Sequence, residues 1–480
     1  MNEKIDRHRV KNGIVFSLFA QLVSLAVSFL LNLIVPKFID EYQYSYWQTY
    51  MLYIAYVGIL HFGLLDGIVL RYSQYDYEEL DKPRIRSQFQ ILLWITSFAA
   101  ISAILVASFF CKEITKTIVI LIAISIVSKN LFTYTSYSFQ ITNRINRYAF
   151  LVIAQRAFYG VGIVMLLLFG VEHFYWFCIF DLCSDLFGVL LGARYNKGLY
   201  FGRSLSLCET LAEAFVNVRS GIVLLIANWS SVFLVGSAKM MVQWKWDELV
   251  FGKVAFAFSV SNLFLTFVTA ISVVLFPTLK RMDRDRLPLV YKSIRDVVSP
   301  LLFWAMLLYF PGCLILSKWL PAYQPSLIYL GLLLPIIIYT SKVSLLTNNY
   351  LKAYRRENSM LMINVASVLL AVTLFAVCAY LLESLEALLV SVVLVIMLRS
   401  ILSELVVMRM IGIRFWFDFI VEAALTVGFI VCAAWLNLGV GCGVYFALLI
   451  GYSILYRATI SEYLNKIKNK FLNIRKGKTA

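Results

Sequence analysis

Four ionisable residues stand where a hydrocarbon environment tolerates few: Lys129, Arg156, Asp181 and Asp185 all lie well inside long apolar stretches of the chain. A charged side chain at the centre of a bilayer costs about 2.5–3.5 kcal/mol on insertion scales, so it faces a partner or a polar cavity. Asp181 and Asp185 are one helical turn apart and share a face. Arg156 comes early in its apolar stretch, about 10 Å along a helix at 1.5 Å per residue. Asp185 stands at matching depth in the next one, so the two can pair across a helical hairpin. The cations can hold an anion, and the carboxylates can exchange a proton or sodium ion. Alternatively, an Arg156–Asp185 pair locks two helices together. The residue types leave both readings open.

Bond-making chemistry has little to work with. No G-x-x-x-x-G-K-[ST] segment occurs, and Gly477-Lys478-Thr479 lacks the upstream glycine of a phosphate loop. The three histidines, His8, His61 and His173, are too scattered for a catalytic triad or a metal site. The 8 cysteines fall mostly within apolar stretches and show no zinc-like spacing. Asp40-Glu41 is an acidic pair in the first short connection, and solvation of a loop accounts for it. The chain is therefore expected to be no enzyme and to carry no metal or cofactor. A further polar feature runs down the first apolar stretch: Ser17, Gln21, Ser24, Ser28 and Asn32 form a single stripe at helical spacing. It either lines a cavity or lets helices approach closely.

The elements that must position these groups are membrane helices. Of the 480 residues, 61% are hydrophobic and 15% charged, against about 45–50% and 25% for soluble domains. The apolar residues come in blocks of roughly 20, the length that crosses a bilayer. Blocks at 12–36, 44–65, 87–110, 117–139, 149–170, 174–193, 213–237, 250–276, 293–316, 325–346, 359–382, 384–407, 415–436 and 439–456 predict an all-α polytopic membrane protein of about 14 transmembrane helices. The first block is too long for a signal-peptide core and reads as an uncleaved span. A net charge of +16 does not mark a nucleic-acid binder, because the basic residues sit between apolar blocks. With the N-terminus inside, thirty of the 43 Lys and Arg residues fall on the cytoplasmic side and six outside. By the positive-inside rule both termini are expected in the cytoplasm.

An internal repeat is also legible. Val10-Lys11-Asn12-Gly13-Ile14-Val15 reads against Val218-Arg219-Ser220-Gly221-Ile222-Val223, and the same offset maps six spans onto the next six. An even number of spans makes this a parallel repeat about an axis along the membrane normal. The expected organisation is a six-helix lobe over 1–205, a second over 206–410, and two added helices with a basic tail over 411–480. At the repeat offset the four embedded charges meet Ile337, Asn364, Leu389 and Val393, which predicts a polar site displaced toward the first lobe. Arg219, Lys253, Arg295 and Lys342 lie nearer to span ends and can snorkel to the interface.

Lys11-Asn12-Gly13 with Gln21 and Asn32, Gly63-Leu64-Leu65-Asp66-Gly67 followed by Arg71, and Phe276-Pro277 before a basic loop resemble the oligosaccharide flippases of the multidrug/oligosaccharidyl-lipid/polysaccharide exporter superfamily. The resemblance spans essentially the whole chain through short, degenerate motifs. It implies two six-helix lobes, an alternating cavity and an undecaprenyl-diphosphate-linked oligosaccharide as cargo, in the cytoplasmic (inner) membrane of a bacterium. It further implies that the prenyl tail stays among membrane lipids, and that a polysaccharide polymerase and glycosyltransferases are potential partners. By location, Lys129, Arg156, Arg219 and Lys342 would meet the diphosphate, with Gln21 and Asn32 on a polar wall. Asp181 and Asp185 would couple transport to a proton or sodium gradient, or form a structural pair. A drug exporter of the same superfamily would need a dominant buried carboxylate instead. A membrane glycosyltransferase or polymerase would need a large outer loop, which the spacing of the blocks does not provide. The loop signature of major-facilitator transporters is absent from 66–86.

Overall fold

The structure, a computed structural model, describes residues 19–457 except 74, 281–283 and 355, with only the backbone described at 267–280, 284 and 357. Ser17 and the basic C-terminal tail, both part of the sequence-based expectations, lie outside the described residues. Every regular element among the described residues is helical. Twelve helices are long and apolar enough to cross a membrane, or up to 14 if each of two bent pairs is one span.

In chain order they are α1 (Phe19–Phe38), α2 (Glu41–His61 continued by Leu64–Tyr72), α3 (Lys82–Phe110), α4 (Glu113–Ile141), α5 (Ile145–Leu168), α6 (Phe174–Tyr195) and α7 (Leu207–Lys245). Then follow α8 (Glu248–Lys280), α9 (Leu287–Met306 continued by Tyr309–Trp319), α10 (Ser326–Ala353), α11 (Asn358–Leu381), α12 (Leu385–Ile411), α13 (Trp416–Ala434) and α14 (Leu438–Leu455). The short separation between α11 and α12 rests on Ser384, whose side chain caps α12 by accepting from Ala387 N. Large apolar side chains such as Phe109, Phe110 and Leu168 are about four-fifths exposed, as a hydrocarbon surround requires and water would penalise.

The glycine-framed segment 63–67 is a hinge in α2. Phe62 and Gly63 both take left-handed backbone angles, φ +51° and +84°, and the axis turns by 58°. Glycine adopts that region without the Cβ clash that other residues meet. The second arm of α2 then lies directly against α7. A Cβ at Gly67 would stand 1.9 Å from the Asn217 carbonyl oxygen, so only glycine allows this approach. Polar side chains close the contact: Arg71 donates to Glu213 (2.5 Å) and Asn217 (2.6 Å), and the Tyr72 hydroxyl donates to Glu213 (2.6 Å). α7 is 39 residues long, about 58 Å at helical rise, and exceeds the hydrocarbon thickness by several turns. A reciprocal Ser206–Glu209 capping box starts it and satisfies amides that would otherwise be orphaned there.

The chain divides into two compact units, Met1–Phe256 and Ala257–Ala480. The division falls within α8, later than the 205/206 repeat boundary, because α7 packs on α2 and α3. The core of the first unit includes Leu64, Leu92 and Tyr134, with Tyr134 set edge-on to Tyr200 and packed against Phe89. That of the second includes Leu346, Tyr350 and Val407, with Tyr291 edge-on to Tyr350.

Candidate functional site

In the first unit two helices meet at one ammonium group. α4 supplies Lys129, and α6 supplies Asp181 and Asp185 from successive turns. Lys129 Nζ lies 2.8 Å from Asp181 Oδ2 and 2.9 Å from Asp185 Oδ2. The carboxylates are buried, while the lysine side chain remains 24% exposed. Hydroxyl and amide donors complete their coordination. Tyr50 on α2 donates to Asp181 (3.0 Å) and shares a hydrogen bond with Ser125 (2.8 Å). Gln155 on α5 donates to Asp185 Oδ1 (3.2 Å) and to Ser184 (2.9 Å), and Ser128 donates to Asp185 (3.4 Å). Formally the group carries one positive and two negative charges.

This arrangement corrects the expected Arg156–Asp185 pair. The partner of Asp185 is Lys129, placed by its position on the α4 face toward α6. Arg156 is half-buried and makes no ion pair among the described residues. Its neighbour Gln155 points to Asp185 instead, because one residue rotates the side chain by about 100° around a helix of 3.6 residues per turn. Arg219 is exposed on α7. Gln21 is half-buried on α1, and the Asn32 amide donates to the Ser28 carbonyl of its own helix at 2.8 Å. Asn32 lies within a π-helical stretch, Leu30–Ile34, a local widening that often accompanies functional positions.

The second unit holds a larger cluster that the repeat offset does not reveal. Arg295 on α9 donates to Glu404 on α12 (2.9 Å) and to Asp418 (2.6 Å) and Glu422 (3.1 Å) on α13. Lys342 on α10 pairs with Glu404 and, at 2.6 Å, with Glu422. Tyr456 donates to Asp418 (2.6 Å). Arg295 and Lys342 do not snorkel: their side chains are 3% and 1% exposed. The expected charge asymmetry between the lobes is therefore corrected as well. The signal was present in the sequence as Asp418 and Glu422, an i,i+4 acidic pair like Asp181 and Asp185. It escaped notice because its partners lie on three other helices, far away in the chain.

No protein-family model matches the chain, and no curated protein matches it at sequence level. Its fold, however, is found among solved structures. The inward-closed lipid II flippase MurJ superposes with a TM-score of 0.67 at 12% identity, over 93% of this chain and 100% of that one. An inward-facing multidrug-resistance MATE transporter of the MOP superfamily gives 0.58 at 14% identity, over 82% and 94%. A MOP-superfamily transporter from Pyrococcus furiosus, described by a reversed polarity of its binding pocket, gives 0.51 at 12% identity, over 84% and 96%. The chain has the fold of the MOP-superfamily transporters. The two ion clusters sit one in each compact unit, and the most exposed charged groups in them are Lys129, at 24%, and Asp418, at 19%.

Proposed function

We propose that this protein is a flippase that moves an undecaprenyl-diphosphate-linked oligosaccharide across the cytoplasmic membrane of a bacterium by alternating access, leaving its bonds unchanged. The observation that carries this reading is the extent of the likeness to MurJ, which takes in 93% of the chain and all of that flippase, against 82% for the MATE transporter. The charge distribution agrees with it. An anionic diphosphate needs cations that are not fully committed, and Arg156 and Arg219 form no ion pair among the described residues. Lys129 is shared between two carboxylates but remains partly open. A proton or sodium ion that neutralises Asp181 and Asp185 releases Lys129 for the headgroup. Gln21 offers hydrogen bonds to sugar hydroxyls, and the prenyl tail stays in lipid. The positive-inside distribution of Lys and Arg orients both termini to the cytoplasm. Enzymes that assemble and polymerise the oligosaccharide are the corresponding partners.

One observation favours a second reading. Carboxylates outnumber cations in the Lys129 cluster, as an ion-coupled exporter of cationic drugs would require. The two readings separate in cells whose surface polysaccharide depends on this protein. Arg156→Ala is expected to lower surface polysaccharide at least tenfold, with membrane abundance unchanged. Normal polysaccharide in Arg156→Ala and in the triple variant Lys129→Ala/Asp181→Asn/Asp185→Asn refutes the flippase reading. Loss of ethidium efflux in the same triple variant would establish the exporter.

A further inference from the structure

A recess in the first unit, lined in large part by the apolar side chains Ile114, Ile118, Val119 and Ile122 of α4, lies two turns along that helix from Lys129, where the starts of α2 and α4 meet the α7–α8 turn. It has a volume of about 690 Å³, within the roughly 300–1,000 Å³ typical of small-molecule sites. One wall is aromatic, with Tyr46 and Tyr53 on α2. Tyr53 is held from both sides: its hydroxyl donates to Gln243 Oε1 (2.8 Å) and accepts from Trp244 Nε1 (3.1 Å). Gln243 lines the recess, and its amide nitrogen has no hydrogen-bond partner among the described residues. The rim carries Lys112, Glu113 and Glu248, none of them in an ion pair among the described residues, so its formal charge is negative.

A flat ring face, an uncommitted amide donor and carboxylate acceptors are the groups that recognise a polyhydroxylated ring. Rigid tyrosine side chains supply amphipathic contact area with little entropy lost on binding. The same rim disfavours phosphate, since two carboxylates face one lysine. A phospholipid headgroup and the diphosphate of the cargo are both poor fits for that reason. We infer that this recess is a saccharide site at the exit face, which takes one or two sugar residues of the cargo as the headgroup emerges. The inference rests on the flippase reading, because it supplies the sugar and places this end of the helices outside.

The test uses the full-length protein in nanodiscs and saturation-transfer difference NMR. The probes are maltose, lactose, N,N′-diacetylchitobiose and the oligosaccharide freed by mild acid from the host's own surface polymer. Binding of at least one probe is expected, at least tenfold weaker in Gln243→Ala and in Thr115→Trp, which fills the recess from an exposed position without removing a buried contact. Lys318→Ala, at an exposed position in the second unit, should leave it unchanged. Absence of binding by every probe overturns the inference, as does binding that survives both recess variants. Binding of glycerophosphoethanolamine without any saccharide also overturns it and assigns the recess to a phospholipid headgroup. The two proposals fail separately: polysaccharide export that needs Arg156, without saccharide binding, sinks only the recess. Saccharide binding lost in both recess variants, with export indifferent to Arg156 and the Lys129 cluster, sinks the flippase reading and leaves a saccharide site without its cargo role.

Discussion

Each compact unit of this protein buries a cluster of opposite charges, and the two are built differently. In the second unit, Arg295 and Lys342 are divided among Glu404, Asp418 and Glu422, with four of the five side chains no more than 4% exposed and Asp418 at 19%. In the first, Lys129 alone serves Asp181 and Asp185 and remains 24% exposed. Taking charges out of water costs several kcal/mol per ion, and their mutual attraction offsets this only when geometry and hydrogen bonds are good. The sealed cluster meets that condition by linking α9, α10, α12 and α13, so it fastens α13 to the helices before it. The most exposed member of the Lys129 group is its cation, whereas in the second cluster it is a carboxylate, Asp418. The two clusters thus differ in which charge is open and in how many helices their ion pairs join.

The sharpest way to break this distinction is to unbalance the sealed cluster. Lys342→Ala leaves Arg295 facing three carboxylates and lowers the formal charge of the group from −1 to −2. Removing one partner of a buried pair costs about 3–5 kcal/mol, so a large fall in abundance and in thermal midpoint in detergent is expected. If the variant is as stable as the parent protein and loses transport alone, the second cluster is a functional site and the contrast collapses.

The Lys129 cluster should respond less, and reversibly. Lys129→Ala strands two carboxylates one turn apart on α6, and destabilisation of about 2–4 kcal/mol is expected, less than for a fully sealed pair. Adding Asp181→Asn and Asp185→Asn removes the stranded charges and should restore most of the thermal midpoint while transport stays lost. Failure of the amides to recover stability would mean that Lys129 contributes through packing rather than charge.

The sequence made the helical, membrane-spanning class plain, because hydrophobic blocks of bilayer length have no soluble alternative. It also singled out Lys129, Asp181 and Asp185 through depth and the i,i+4 rule. The pairing was less legible. Depth along a helix can be counted, but the rotation that turns Gln155 rather than Arg156 toward Asp185 depends on how the helices pack. The bent spans were half visible: Gly63 and Gly67 stand out as residues, whereas the 58° turn comes from two consecutive left-handed conformations at Phe62 and Gly63. The second cluster was hidden for a different reason. Arg295 and Lys342 lie close enough to span ends to snorkel when each helix is taken alone, and only their partners on α12 and α13 keep them inside.

The finest test of the comparison is at Tyr50, which joins α2 to the Lys129 cluster through a hydrogen bond to Asp181 and another to Ser125. Tyr50→Phe keeps the buried ring and deletes only the hydroxyl. A hydrogen bond to a charged group contributes about 1.5–3 kcal/mol, but the lost donor leaves Asp181 with Lys129 still in place. A net cost near 1–2 kcal/mol in thermal unfolding is therefore expected, the smallest of the three. Because Asp181 then depends on Lys129 more heavily, the double variant Tyr50→Phe/Lys129→Ala should cost more than the sum of its parts, since neighbours in one network do not add. Strict additivity in that cycle would show that Tyr50 and Lys129 stabilise Asp181 independently, and α2 would have no energetic link to the Lys129 cluster.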